Sequence, residues 1–180
     1  VLVHDVKLDT TIRDVLSTEI NFICVPTPSA DDGQCDTAIL ESVIQELDDN
    51  NYNGIIAIRS TAVPGFTQSM IEKHKTLAIC FVPEFLRERC AYEDFVHNNN
   101  ILIVGTDNDV VDTKIVESHG TLPVHKVQIK PIEAELVKYF SNTYKALRIT
   151  FANSFAKISD GFSKLTPTIA CLLLMSVTMF

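Results

Sequence analysis

Short apolar runs, several of them closed by proline or by small hydroxyl residues, recur from Val1 to Ile129 and leave few folds open to this chain. Ile79-Cys80-Phe81-Val82 is too short for a helix and stops at Pro83, which has no N–H to give to a sheet ladder. It reads as a buried strand. Asn21–Val25, which empties into Pro26-Thr27-Pro28-Ser29, and Gly54–Arg59, which ends in Ser60-Thr61, read the same way. Val1-Leu2-Val3, Ile101–Val104 and Val127–Ile129 add three shorter strands. Between them lie helical patterns. Thr10–Leu16 predicts a short helical connection, and Asp36-Thr37 caps a helix whose Ile39, Leu40, Val43, Ile44 and Leu47 recur at helical spacing. Thr67–Lys75 and Asp109–His119 predict two more helices. Strand and helix in alternation, with short connections, predict a parallel, doubly wound α/β sheet.

From Pro131 the pattern changes. Residues 132 to about 162 contain no proline and no glycine before Gly161, and Leu136, Val137, Phe140, Tyr144, Leu147, Phe151 and Phe155 repeat at spacings of three and four. One long amphipathic helix is predicted, with Pro131 at its start and Gly161 near its end. A helix of that length serves as a domain connector or a subunit-packing element. The tail from Thr166 to Phe180 carries no charge. Its apolar part, 169–180, would cover ~18 Å as a helix against the ~30 Å of a bilayer core, so it is not a membrane span.

With 15 basic against 23 acidic residues, a net charge of −8 and no Lys/Arg cluster, the chain offers no nucleic-acid surface. Cys24, Cys35, Cys80, Cys90 and Cys171 include no CxxC pair and no histidine at zinc spacing, so no metal site is expected. Cys24 and Cys80 sit in apolar strands and read as small buried hydrophobes of a reducing, cytoplasmic protein without a signal peptide.

In open α/β sheets, ligands bind outside the carboxyl ends of the strands. Glu84 and Glu88 follow such an end, four residues apart; on a helix they would share one face. Two acids there suit proton transfer or a grip on sugar hydroxyls, or else simply complement a helix N-terminus. Asp5, ending the first apolar run, is either a ribose-binding acid or a turn residue. Lys138 and Asn142 lie one turn apart on the long helix, where a solvated face is the ordinary role of such a pair.

Five segments combine into a pattern: Val25-Pro26-Thr27-Pro28, Cys35-Asp36-Thr37, Arg59-Ser60-Thr61-Ala62-Val63-Pro64-Gly65-Phe66-Thr67, Pro83-Glu84-Phe85-Leu86-Arg87-Glu88, and Glu135-Leu136-Val137-Lys138-Tyr139-Phe140-Ser141-Asn142. In this order the chain, over residues 1 to about 164, resembles the nucleotide-sugar 6-dehydrogenases, the family of UDP-glucose 6-dehydrogenase. The resemblance implies two Rossmann-type domains joined by a long helix, dimerisation through that helix, and oxidation of a sugar C6 alcohol to the carboxylate with two NAD+. UDP-glucose is the expected substrate; GDP-mannose, an N-acetylated UDP-sugar, or a catalytically silent binding or dimerising chain are the alternatives.

Carried over by residue, the resemblance makes Asp5 the acid on the adenosine ribose, and Val25, Pro26 and Thr27 the loop along the cofactor. Thr61 would sit by the nicotinamide and order a water. Glu84 would be the acid/base for thioester hydrolysis, and Glu88 a second acid near nicotinamide and water. Phe85, Leu86 and Arg87 would line the sugar-nucleotide side. Lys138 and Asn142 would hold the oxygen that develops negative charge at C6, and with Glu84 they are expected to converge on one cleft. Two family features do not occur: the glycine-rich first strand and turn, and the Gly-Gly-x-Cys nucleophile, since Cys171 has no such neighbours. The expectation is a fragment, with a partial NAD-binding domain missing its first strand at 1–130, a helical connector at 131–165 and an unrelated tail at 166–180. Such a chain is expected to turn over nothing alone and to bind NAD poorly.

Overall fold

Five strands form one sheet in the computed structural model of the protein, which describes residues 1–98, 100–121 and 123–160, and only the backbone of Glu88, Ser159 and Asp160. They are β1 (Ile20–Ile23), β2 (Ile55–Ile58), β3 (Ala78–Phe81), β4 (Ile101–Gly105) and β5 (His125–Ile129), and they lie side by side in chain order. The helices are α1 (Ala38–Asp49), α2 (Phe66–Lys73), α3 (Ala91–Val96), α4 (Asp109–Ser118) and α5 (Pro131–Asp160). The Thr10–Leu16 connection is a single 3-10 turn, Ile12–Val15. Asp36 accepts from the Ala38 N–H at 2.9 Å at the head of α1, while the Thr37 hydroxyl turns to Glu41. Tail residues 166–180 and Gly161 lie outside the described residues, among which no helix is long and apolar enough to cross a membrane.

β2 is buried along its whole length, which explains why its sequence is continuously apolar rather than alternating. Its two faces feed two cores. Ile56 and Ile58 join Ile23, Ile79 and Phe81 under α1 (Leu40, Ile44, Leu47) and α2 (Phe66, Met70). Ile55 and Ala57 join Cys80, Val82, Leu102 and Val104 under α4 (Val111, Ile115). The sheet is therefore covered on both faces, as a doubly wound fold requires.

It is mostly, not wholly, parallel. β3 and β4 meet antiparallel, through the single pair Phe81↔Gly105, while the other three neighbouring pairs are parallel. This reversal explains the two faces. Crossovers between parallel strands are right-handed, so stepping across the sheet in one direction keeps α1 and α2 on one side. β4 and β5 run the other way, so the same handedness puts α4 on the opposite side. Because Phe81 and Gly105 both end their strands, β4 also runs on past the carboxyl end of β3 and walls the space above it.

Three further expectations change. Val1–Val3 is exposed and not a strand, because a strand needs a neighbour for its backbone groups and no described strand lies beside it. Glu84 and Glu88 do not share a helix face: residues 83–87 are irregular, Glu88–Cys90 is a 3-10 turn and α3 begins at Ala91. The cause is local, since the Glu84 carboxylate takes the Leu86 N–H at 2.7 Å and Asp94 takes the Arg87 N–H at 2.9 Å, both in competition with helical pairing. Cys24 is exposed because β1 stops at Ile23, whereas Cys80 is buried and its thiol is pushed up to about 12 by that burial.

The chain divides into two compact units, Val1–Lys138 and Tyr139–Phe180. Within the first, α5 buries Pro131, Ala134, Glu135 and Lys138, a stripe at helical spacing, and turns Leu136 and Val137 outward. The expected apolar stripe is thus the exposed one. Within the second unit, Phe140, Tyr144, Leu147, Phe151 and Phe155 are all exposed, Phe140 to 73%.

Gly105 makes the reversal possible. A Cβ added there would stand 2.8 Å from Ala134 Cβ and 3.1 Å from the Phe81 carbonyl oxygen. Gly105→Ala should therefore cost about 1–3 kcal/mol, as overpacking does, read as a lowered urea midpoint at unchanged slope.

Candidate active site

The carboxyl ends of β1, β2 and β3 lie together because the three strands are parallel and in register. Side chains then fasten their loops. Ser60 donates its hydroxyl to the Val25 carbonyl at 2.7 Å, tying the end of β2 to that of β1. Cys35, entering from the loop before α1, points its thiol at the carbonyls of Thr61 (3.6 Å) and Thr27 (3.9 Å). Thr27 and Thr61 are half-buried, and their hydroxyls take no hydrogen-bond partner among the described residues. Both remain open to a ligand. Asp5 is exposed and accepts from the Lys7 N–H at 2.8 Å in a local turn; no hydrogen bond or ion pair among the described residues joins it to these loops.

Beyond β3, Glu84 meets Lys138 across 54 residues of sequence. The Lys138 ammonium donates to Glu84 Oε1 at 2.9 Å and to the Glu84 carbonyl, and it lies 5.7 Å from the centroid of the Phe85 ring. Lys138 is 4% exposed. Burial alone would raise the Glu84 carboxyl, but the Lys138 ammonium, the Leu86 N–H and the nearby Arg59 charge outweigh it and hold the group below its ordinary value. Phe85 and Leu86 are half-buried beside this pair. Arg87 is not aimed freely at a ligand: its Nε and Nη2 grip Asp94 at 2.9 and 2.7 Å, which holds the Asp94 carboxyl well below the carboxylate range. Asn142 is an exposed residue of the second unit.

What positions Lys138 is a residue that pattern reading passed over. Glu135, fully buried one turn earlier on α5, accepts from the Gly65 N–H (2.5 Å), the Thr67 N–H (2.7 Å) and the Thr67 hydroxyl (2.6 Å). It caps α2 from a distance. Gly65 heads that helix at φ 93°, a left-handed conformation natural to glycine, and supplies no side chain of its own. Burial pushes the Glu135 carboxyl up, while the donors work against the shift. The available signal was a charged pair, Glu135 and Lys138, in the same stripe as Pro131 and Ala134.

Residues 3–119 match the NAD-binding domain of the UDP-glucose/GDP-mannose dehydrogenase family. The chain belongs to this family. It is 30% identical over 176 residues to UDP-glucose 6-dehydrogenase AglM of Haloferax volcanii, covering 87% of this chain and 40% of that one. Its fold is similar to that of a UDP-glucose dehydrogenase from Pyrobaculum islandicum, with a TM-score of 0.72 and 30% identity over 82% of this chain and 37% of the other. A GDP-mannose dehydrogenase from Pseudomonas aeruginosa matches at TM-score 0.71 and 24% identity, over 84% and 38% of the two chains, a likeness of fold alone. The chain thus spans 40% or less of the length of the curated relatives it matches. NAD is the cofactor of the matched domain.

Two outcomes follow from this geometry. Glu135→Ala leaves buried donors at the head of α2 unpaired and should cost about 2–4 kcal/mol, measured by urea unfolding. Glu84 has a folded value below its ordinary 4.5, so its stabilisation is complete above 4.5 and is lost as pH falls through the folded value. Lys138→Met should flatten that acid limb of the stability–pH curve.

Proposed function

We propose that this chain carries the cofactor-side and acid–base portion of a site that oxidises the C6 alcohol of a nucleotide sugar, UDP-glucose foremost. The observation that carries the reading is the buried Lys138 ammonium on Glu84, at the carboxyl end of β3, in a chain whose family match includes Thr61 and Glu84. The free hydroxyls of Thr27 and Thr61, on loops fastened together by Ser60 and Cys35, fit a cofactor lying across the ends of β1 and β2. Val25 and Pro26 would line its path, and Asp5 would meet its ribose hydroxyls. When bound, NAD accepts the hydride that leaves C6.

The residues do the rest. A cation and an amide donor aimed at the C6 oxygen stabilise the negative charge that develops as its proton leaves, an effect largest where water is excluded. Lys138 would supply the cation and Asn142 the amide. Glu84, kept ionised by its neighbours, is placed to take a proton from a water or a hydroxyl and return it later. Glu88 would be the second acid, and Phe85, Leu86 and Arg87 the wall on the sugar-nucleotide side. The unpaired thiols of Cys24, Cys35, Cys80 and Cys90 favour a reducing, cytoplasmic setting.

Calorimetric titration of the full chain tests the reading. NAD+ binding should be weak but saturable and weaker still in Thr61→Val, and UDP-glucose should bind better than GDP-mannose, with Lys138→Met weakening the sugar nucleotide and not NAD+. Absence of saturable binding of either ligand would overturn it. The exposed apolar stripe of α5 supports a homodimer through that helix. Phe140→Glu with Phe151→Glu should then shift the sedimenting species from dimer to monomer.

A further inference from the structure

Arg59 is a half-buried cation with no carboxylate bonded to it among the described residues. It follows β2 directly, and its backbone N–H donates to the Ile23 carbonyl at 2.9 Å, so the sheet fixes where the side chain starts. The guanidinium lies 5.9 Å from the centroid of the Phe22 ring. Its side chain takes no hydrogen-bond or ion-pair partner among the described residues. Five N–H donors in such a place ordinarily find a carboxylate. The ring holds the cation through its face while leaving every donor free.

What Arg59 shares its surroundings with is Glu84. Both line one small cleft above the ends of β2 and β3, with Pro83, Ile101 and His119 around them. Glu84 therefore has two cations in its surroundings, Lys138 bonded to it and Arg59, held over the Phe22 ring, lining the same cleft. The other titratable groups facing this space are the Cys24 thiol and the His119 ring, neither of them a fixed charge. Under the function proposed above, Lys138 must turn from Glu84 to an oxygen of the substrate. Glu84 would then keep only the Leu86 N–H, too little to hold a half-buried carboxylate ionised.

We propose that Arg59 is a positioning residue for Glu84, a reserve cation that keeps the carboxylate charged and aimed when Lys138 changes partner. The need for Lys138 to move rests on the dehydrogenase reading; the hold of Arg59 on Glu84 does not. The Arg59 charge already contributes to keeping the Glu84 carboxyl below its ordinary range.

The test is a carboxyl-carbon NMR titration of Glu84 in the full chain, without cofactor or substrate, its signal assigned by its loss in Glu84→Gln. Arg59→Gln should move the Glu84 midpoint upward, and by more in a Lys138→Met background than in the wild type. Arg59→Lys should restore most of the shift, which a merely structural role would not predict. If Arg59→Gln fails to fold, Phe22→Leu frees the guanidinium from its ring and should raise the midpoint by a smaller amount. A midpoint unmoved by Arg59→Gln in both backgrounds, or by Phe22→Leu in its place, overturns the proposal. Because no ligand is present, that failure is distinct from failure of the dehydrogenase reading, which the NAD+ and UDP-glucose titrations decide.

Discussion

The Glu135 carboxylate under the first turn of α2 is the contact on which the geometry of this site depends. A helix N-terminus leaves backbone donors unpaired, and the residue that should cap α2 is a glycine in a left-handed turn. Glu135 satisfies those donors from another helix and in doing so sets the rotation of α5 about its own axis. Three residues on, the same rotation delivers Lys138 to Glu84. Buried Ala134 and the Cβ-free Gly105 let the backbones approach closely enough for this. One buried side chain thereby couples the packing of a helix to the placement of a cation.

Charge around Glu84 is arranged by strand ends rather than by any single element. Arg59 follows β2, Glu84 lies just beyond β3 and Lys138 comes from α5; the Ile23 carbonyl holds the Arg59 N–H, and the Leu86 N–H and the Lys138 ammonium hold the Glu84 carboxylate. The loops carrying Thr27 and Thr61 are joined by a serine and a cysteine that bind only backbone carbonyls. Their own hydroxyls stay available. Rigid supports with free donors are what a ligand-binding crevice of an open α/β sheet requires.

Much of this was legible in the sequence, for physical reasons. β2 and β3 announce themselves because strands buried on both faces must be apolar at every position, and Pro83 marks where β3 can pair no further. The meeting of Glu84 with Lys138 came from the five family segments, since nothing in local spacing links residues so far apart. The antiparallel arrival of β4 was not legible, because Ile101–Gly105 reads alike in either direction. Val1–Val3 misled because strand propensity says nothing about whether a neighbour is there. The face by which α5 docks was not legible for a related reason: a buried carboxylate, Glu135, and a buried ammonium, Lys138, dock it, while its apolar residues face outward.

The order of the strands has a kinetic side. Every ladder in the sheet joins segments that are consecutive strands along the chain, so each strand can add to one already formed. The Glu135 link closes loops of 68 and 70 residues and finds its donors only after α2 has formed. Loop-closure entropy places such a contact late. Its loss would then act on the rate at which the native state opens far more than on the rate at which it forms, so the lifetime of the assembled site is governed by α5 rather than by the sheet beneath it.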